Sequence, residues 1–85
     1  MFNLGTLVMT PGADQALAPS TVRIALDRHS KGDWGVVDGH DRTQNDRAVG
    51  EGARILSVYE EEGTRFYVIT EADRSATTVL LPEEY

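Results

Sequence analysis

The absence of cysteine most constrains how this chain can fold, because the chain has only 85 residues. A domain of this length buries roughly 60–65% of the surface that its unfolded form exposes, so one compact core must supply the stability. Secreted domains of this size usually add disulfide bonds or metal ions. We therefore expect a single domain over residues 1–85 that folds without disulfides and works in the cytoplasm.

The composition and the N-terminal residues argue against several classes of protein. Hydrophobic residues make up 40% and charged residues 26% of the chain, which is typical of a globular domain. The segment from Met1 to Met9 has no positively charged side chain and no long apolar run. We therefore expect neither a signal peptide nor a membrane-spanning segment.

The acidic charge is concentrated in one part of the chain. The net charge is −6, and residues 33–85 hold twelve acidic and five basic side chains. Nucleic acids are bound mainly through Lys and Arg, so we expect no direct contact with nucleic acid. A basic protein surface is the more suitable partner, because complementary charge steers association. The alternative is that the acidity only keeps the protein soluble.

Capping residues divide the first half into one strand and three helices. Residues 2–9 are apolar on both faces, which predicts a partly central strand. Thr10 and Ser20 are suitable N-caps for helices that run from residue 11 to about 18 and from residue 21 to about 30. Asp38, or less favourably Asp41, is a suitable N-cap for a polar third helix to about residue 49.

The last third of the chain predicts strands. Alternating apolar residues predict strands over residues 54–60, 65–70 and 76–81, with a hairpin loop over residues 61–64. Short connections between consecutive strands favour an antiparallel meander. The predicted fold class is therefore α+β: an antiparallel sheet of about four strands in the order β-α-α-α-β-β-β, with short helices packed on one face.

The histidines are the first candidates for chemistry. His29 and His40 have Asp33, Asp38 and Asp41 nearby, which suggests a metal site or an acid–base pair. Their spacing matches no ligand motif, and His29 falls on the apolar face of its helix, which favours a structural histidine. The chain has no nucleophile motif and no phosphate-binding glycine loop, so we expect no catalytic residue, no metal and no cofactor.

Three segments are candidates for binding a partner. Asp33 and Trp34 lie between glycines and form either a recognition tip or a plug of the core. The acidic run of the hairpin and the connection before the last strand form either a docking surface or solvated turns. These two segments contribute Glu60, Glu61, Glu62, Glu71, Asp73 and Arg74.

Distinctive short segments occur along nearly the whole chain. They are Leu4-Gly5, Thr10-Pro11-Gly12-Ala13, Arg28-His29, Gly32-Asp33-Trp34-Gly35, Asn45-Asp46, Arg54-Ile55-Leu56-Ser57, Tyr59, Ile69-Thr70-Glu71-Ala72-Asp73-Arg74-Ser75, Thr77-Thr78 and Leu80-Leu81-Pro82-Glu83-Glu84-Tyr85. Together these segments resemble a family of short bacterial proteins carried on plasmids and integrated mobile elements. Members are labelled "plasmid related protein" or, misleadingly, type I restriction endonuclease subunit M.

The resemblance implies a mobile-element setting and little biochemistry. Small acidic proteins of such elements often block host defence by covering the nucleic-acid-binding surfaces of restriction or CRISPR complexes. The first hypothesis is therefore a non-enzymatic interaction protein that inhibits such a complex. The second is a homo-oligomeric accessory protein, for example a homodimer formed through an exposed sheet edge. The third is a small enzyme that uses His29, Asp33 and Asp73.

Overall fold

The computed structural model describes residues 2–85 and contains three α-helices and four strands in the predicted order. The strands are β1 (Thr6–Met9), β2 (Ile55–Glu61), β3 (Thr64–Thr70) and β4 (Ala76–Leu80). The helices are α1 (Pro11–Ala16), α2 (Pro19–Ser30) and α3 (Gly39–Glu51), and a short 3₁₀ turn covers Pro82–Glu84. The α+β class is thereby confirmed.

The sheet is mixed, and the prediction of a purely antiparallel sheet is wrong. The strand order is β1-β4-β3-β2. Strands β2, β3 and β4 form the predicted antiparallel meander, whereas β1 pairs with β4 in parallel, with Thr6 opposite Ala76. Only tight hairpins force neighbouring strands to run in opposite directions. Strand β1 is joined to the rest of the sheet through three helices, so no tight turn sets its direction.

Strand β1 lies at an edge of the sheet, and the prediction that it is partly central is also wrong. Its residues are mostly exposed, and Leu7 retains 56% of its accessible surface. The apolar character on both of its faces therefore does not reflect burial. At the opposite edge, Trp34 and Val36 exchange backbone hydrogen bonds with Val58 of β2 at 3.0 and 2.7 Å. That edge is covered by the segment between α2 and α3.

Local capping explains most helix boundaries. The Thr10 side chain accepts a hydrogen bond from the Ala13 amide at the start of α1, and Asp38 accepts one from the Asp41 amide at the start of α3. Both caps agree with the prediction. Ser20 caps nothing, because α2 begins at Pro19, two residues before the predicted start at residue 21. Proline is well suited to the first helical position, since its ring already has a helical φ angle.

The core lies between the helices and one face of the sheet. Alternate residues of the strands point toward this face, as the buried positions of β2 show at Ile55, Ser57 and Tyr59. The larger cluster joins α1 and α2 to the sheet, and a smaller cluster joins α3 to the start of β2. The buried members are Ala13, Leu17, Val22, Ala25, Tyr59, Phe66, Val68 and Val79 in the first cluster, and Trp34, Ala48 and Ile55 in the second.

Candidate functional site

The predicted partner-binding residues lie at two opposite ends of the sheet. Glu60, Glu61 and Glu62 are at the β2–β3 hairpin, whereas Glu71 to Ser75 follow the other end of β3. Strand β3 runs between these ends, and a strand of this length spans roughly 20 Å. The structure therefore offers two separate candidate surfaces. The acidic end is defined here as Asp33, Glu60, Glu61 and Glu62.

Arg28 of α2 connects two members of the acidic end, Asp33 and Glu61. Its Nε and Nη2 donate hydrogen bonds to the two carboxylate oxygens of Asp33 at 2.7 and 3.1 Å. Its Nη1 lies 3.9 Å from a carboxylate oxygen of Glu61, and its guanidinium lies 4.6 Å from the centre of the Tyr59 ring. A bidentate arginine–carboxylate pair fixes orientation as well as charge. The chain between α2 and α3 is thereby held against the hairpin.

Hydrogen bonding and burial determine which side chains of this region carry a charge. The hydrogen bond from Arg28 lowers the pKa of Asp33 below its ordinary value, and the same contact raises the pKa of Arg28. Burial raises the pKa of Tyr59 to about 12, and its hydroxyl donates a hydrogen bond to the Asp33 carbonyl at 2.6 Å. Tyr59 is therefore neutral and Asp33 is negative at physiological pH.

The hairpin presents its acidic residues on a tight turn. Glu62 and Gly63 have φ angles of 53° and 80°, which is the backbone of a type I′ turn. Glu60 forms an ion pair with Arg65 at 3.3 Å, and about half of the Glu60 side chain is exposed. Glu62 is exposed at the tip. Glu60 and Glu62 thus extend into solvent from a backbone whose geometry is well defined.

A small cleft with an exposed isoleucine adjoins the acidic end. The cleft has a volume of about 70 Å³, and Arg28, Tyr59 and Glu61 contribute to its wall. Ile24 also lines it and is 60% exposed. An apolar side chain beside charged groups is a common arrangement at protein interfaces, in which an anchor is surrounded by a polar rim. The cleft is too small for most metabolites, which need several hundred Å³.

Trp34 lies in the core and not at a recognition tip. Only 3% of its surface is exposed, and its Nε1–H donates a hydrogen bond to Asp46 of α3 at 2.9 Å. Its ring stacks on Phe2 with 6.1 Å between the ring centres. The neighbouring Gly35 has a φ of 77°, and a Cβ at this position would overlap the Val58 carbonyl oxygen. The Gly-Asp-Trp-Gly segment therefore covers the edge of β2, and only Asp33 is exposed.

The second candidate surface is held together by Arg74. Its guanidinium donates hydrogen bonds to the carbonyl oxygens of Ala48 and Ala53, each at 2.7 Å, and to that of Glu71 at 3.1 Å. Arg74 therefore binds the end of α3 and the β3–β4 connection. A hydrogen bond from the Ser75 side chain, together with one from the Ser75 amide, lowers the pKa of the Asp73 carboxyl group. These contacts make the loop a structural turn with an exposed carboxylate at Asp73.

The histidines do not form a site. His29 is fully buried, and its two ring nitrogens contact the hydroxyl groups of Ser57 and Thr70. Burial lowers its pKa to about 4, with the Arg74 charge as a second cause. His40 is exposed on α3. Within residues 2–85, the structure gathers no set of three or more His, Asp or Glu side chains around a common point that a metal could occupy.

The residues proposed for a small enzyme do not come together. His29 is inside the core, Asp33 is bound to Arg28, and Asp73 is bound to the backbone of its own turn. None of these three groups contacts another in the described part of the chain. The structure thus shows no reaction centre made from the three residues of that hypothesis.

Sequence reasoning missed Arg28, Tyr59 and Ile24 as parts of the acidic end. A local signal existed for Arg28, because it lies in the last turn of α2 and Asp33 is only five residues further along the chain. Glu61 and Tyr59 are more than thirty residues further along the chain than Ile24, and no local pattern connects them. For Ile24, the sequence indicated only an apolar residue on the side of α2 that lies opposite its core-facing residues.

Comparisons with protein-family models, with curated proteins and with solved structures give no match. The structural class of the protein is therefore defined by its fold alone. It is an α+β domain with a mixed four-stranded sheet and helices on one face. Of the helices in residues 2–85, none combines the length and the apolar character needed to cross a membrane.

Proposed function

We propose that this chain is a non-enzymatic cytoplasmic interaction protein that binds a basic protein surface through its acidic end. The observation that carries the proposal is the convergence of Asp33 and Glu61 on Arg28, while Glu60 and Glu62 extend outward from the same hairpin. Binding to such a surface loses little conformational entropy at the hairpin, because its backbone is already ordered.

The chemistry of the partner follows from the charge and from the adjoining cleft. Exposed carboxylates suit arginine and lysine side chains, and Ile24 offers an apolar anchor beside them. The resemblance to mobile-element proteins supports a more specific partner: a nucleic-acid-binding restriction or CRISPR complex whose basic groove would be covered. The acidic end would then occupy the position of nucleic-acid phosphates.

Charge reversal at the hairpin tests this proposal. We expect the double variant Glu61→Lys, Glu62→Lys to lose binding to a purified restriction or CRISPR effector complex. The control is Glu51→Lys, Glu83→Lys, which makes the same change in net charge at exposed residues outside the acidic end. Equal binding by the two variants would refute the acidic end as the binding surface.

Salt and nucleic acid give independent measurements. Exposed charge pairs are screened beyond about 8–10 Å at physiological ionic strength, so raising the salt from about 0.05 to about 0.3 M should weaken binding at least tenfold. Labelled duplex DNA should not bind the protein and should compete with it for the complex. Binding to the complex that does not depend on salt would contradict the proposal. So would a hairpin variant that still inhibits DNA cleavage by the complex.

A further inference from the structure

Strand β1 leaves its outer backbone groups without a neighbouring strand. On its inner side, the Thr6 amide donates a hydrogen bond to the carbonyl of Ser75, just before β4, at 3.0 Å, and the Thr10 amide donates one to the carbonyl of Val79 in β4 at 3.1 Å. Successive residues of a strand direct their N–H and C=O groups to opposite sides. The backbone groups of Leu7 and Met9 therefore point away from β4, and no strand within residues 2–85 lies on that side.

This edge is also apolar. Leu7 and Val8 are 56% and 42% exposed, on opposite faces of the sheet. A groove of about 520 Å³ runs beside the strand on the helical side, between β1 and α2. Its wall consists of Leu4, Leu7, Pro19, Val22, Arg23, Leu26, Asp27 and Ser30. Natural proteins usually protect edge strands with charge, proline or a bulge, and β1 itself has no charge and no proline.

The distribution of charge favours a second copy as the partner at this edge. Residues 1–13 have no charged side chain, although the whole chain has a net charge of −6. Two copies repel each other wherever their acidic surfaces meet, and this repulsion is weaker along β1, where the nearby Glu84 carboxylate lies past the end of the strand and is hydrogen-bonded to Thr10 and Gly12. The β2 edge offers no alternative, because Trp34 and Val36 already bond to Val58 there.

We propose that two copies of this chain pair antiparallel through β1 and join their sheets into one. A twofold axis at Val8 places Leu7 of each copy opposite Met9 of the other, so the outward backbone groups of both residues are satisfied. The helical layers then lie on the same side of the joined sheet. The two grooves meet above the seam, where they bury Leu7 and Leu26 of each copy.

The charged residues at the rim of the groove are compatible with the same twofold axis. Arg23 and Asp27 line it one helical turn apart on α2. A twofold axis runs the two α2 helices in opposite directions, so Arg23 of each copy can approach Asp27 of the other. A surface that meets itself in this way must be complementary to its own reversed pattern. Opposite charges at this spacing satisfy that requirement.

The test is the mass of the protein in solution, measured by sedimentation equilibrium over a range of concentrations. We expect the wild type to approach twice its 9.3 kDa monomer mass and to dissociate on dilution. Leu7→Lys should raise the dimer dissociation constant at least about 100-fold, because it removes buried apolar surface and places like charges near the axis. The matched control is Ile24→Lys, since Ile24 is 60% exposed but lies beside the acidic end.

Leu7→Pro tests the backbone pairing separately from the side chain. It removes an amide that points outward and leaves the hydrogen bonds to β4 in place. We expect this variant to be monomeric, with helical circular dichroism close to that of the wild type and a urea midpoint close to that of the wild type at a dilution where it is monomeric. A wild type that stays monomeric at millimolar concentration, or a Leu7→Lys variant that still dimerises, would overturn the proposal.

This dimer does not depend on the proposed function, and its test can be separated from that of the acidic end. The variant Glu61→Lys, Glu62→Lys should dimerise as the wild type does, because the hairpin lies outside the β1 seam. High salt should leave the dimer intact, whereas it should weaken binding to a basic partner. A dimer that dissociates in high salt would count against the apolar β1 seam.

Discussion

Arg74 donates a hydrogen bond from Nη2 to the Ala48 carbonyl oxygen at 2.7 Å, which joins the β3–β4 connection to the last turn of α3. The Ala48 carbonyl also accepts the Gly52 and Ala53 amides where the helix ends, and a cation beside the last carbonyl groups of a helix interacts favourably with the helix dipole. The same guanidinium binds the Ala53 carbonyl and lies 5.6 Å from the centre of the Phe2 ring. Three separate parts of the chain therefore depend on one side chain.

Replacing Arg74 should destabilise the protein without affecting the acidic end. Hydrogen bonds to charged groups contribute about 1.5–3 kcal/mol, so Arg74→Ala should lower the free energy of unfolding by about 2–4 kcal/mol. Arg74→Lys should recover only part of this loss, because an ammonium group cannot bind several carbonyls in one plane. Urea unfolding measures both variants, and a loss below about 0.5 kcal/mol for Arg74→Ala would show that the network is dispensable.

Two glycines with similar backbone angles should respond differently to alanine. Gly35 and Gly63 have φ angles of 77° and 80°, a conformation that costs an L-residue about 1–2 kcal/mol. A Cβ on Gly63 meets nothing within 4 Å, whereas a Cβ on Gly35 would overlap the Val58 carbonyl and approach the Tyr59 ring to 2.7 Å. Gly35 cannot gain a methyl group unless the covered edge of β2 separates.

Comparing the two variants separates the cost of the steric contact at Gly35 from the cost of the positive φ angle that both glycines share. We expect Gly63→Ala to cost about 1–2 kcal/mol and Gly35→Ala to cost at least about 2 kcal/mol more. Thermal or urea unfolding of both variants provides the measurement. If the two losses are equal, the close approach of Gly35 to β2 does not limit stability, and the segment around Trp34 is held less tightly than the structure indicates.

Elements that depend on neighbouring residues were predictable from the sequence. Thr10 and Asp38 cap their helices, and the turn at Glu62 and Gly63 forms where polar residues interrupt two alternating patterns. Each of these features is determined within a few residues. The three strands of the meander were also predictable, although only β2 alternates regularly between buried and less buried positions, whereas β3 and β4 end in consecutive buried residues.

Features that depend on distant residues were not predictable. Nothing in residues 6–9 specifies that β1 pairs with β4 in parallel, because strand direction there depends on how three helices pack. Trp34 and Arg74 stand out in the sequence, yet both act inside the structure through Asp46 and Ala48. A distinctive residue can thus indicate an unusual structural constraint as readily as a contact with a partner.

The hydroxyl groups around His29 determine which form of its ring the core accepts. Thr77 donates its proton to the Leu4 carbonyl at 2.7 Å, so Thr70 must donate to Thr77 and accept from Nε2–H of His29. The Nδ1 atom is then left to accept a proton from Ser57. This chain of donors fits a neutral histidine with its proton on Nε2.

Acid should therefore destabilise the protein through His29. Its pKa is lowered from 6.5 to about 4, so the unfolded state binds the proton more tightly and stability falls as the pH drops below 6.5. One unit of pKa corresponds to about 1.4 kcal/mol, which gives a loss of about 2 kcal/mol between pH 7.5 and pH 5. The lowered pKa values of Asp33, Asp73 and Glu84 produce losses only at lower pH.

Two measurements separate His29 from other titrating groups. Urea unfolding at pH 7.5 and pH 5 should show the loss in the wild type, whereas His29→Gln, although less stable, should lack the His29 contribution to the slope between these pH values. Nitrogen-15 NMR of the native protein should show the His29 ring neutral at pH 5, with its single N–H proton on Nε2. A His29 ring that titrates near 6.5 in the native state would contradict the buried chain of hydrogen bonds, because a charged ring there requires Ser57 to turn its hydroxyl proton away.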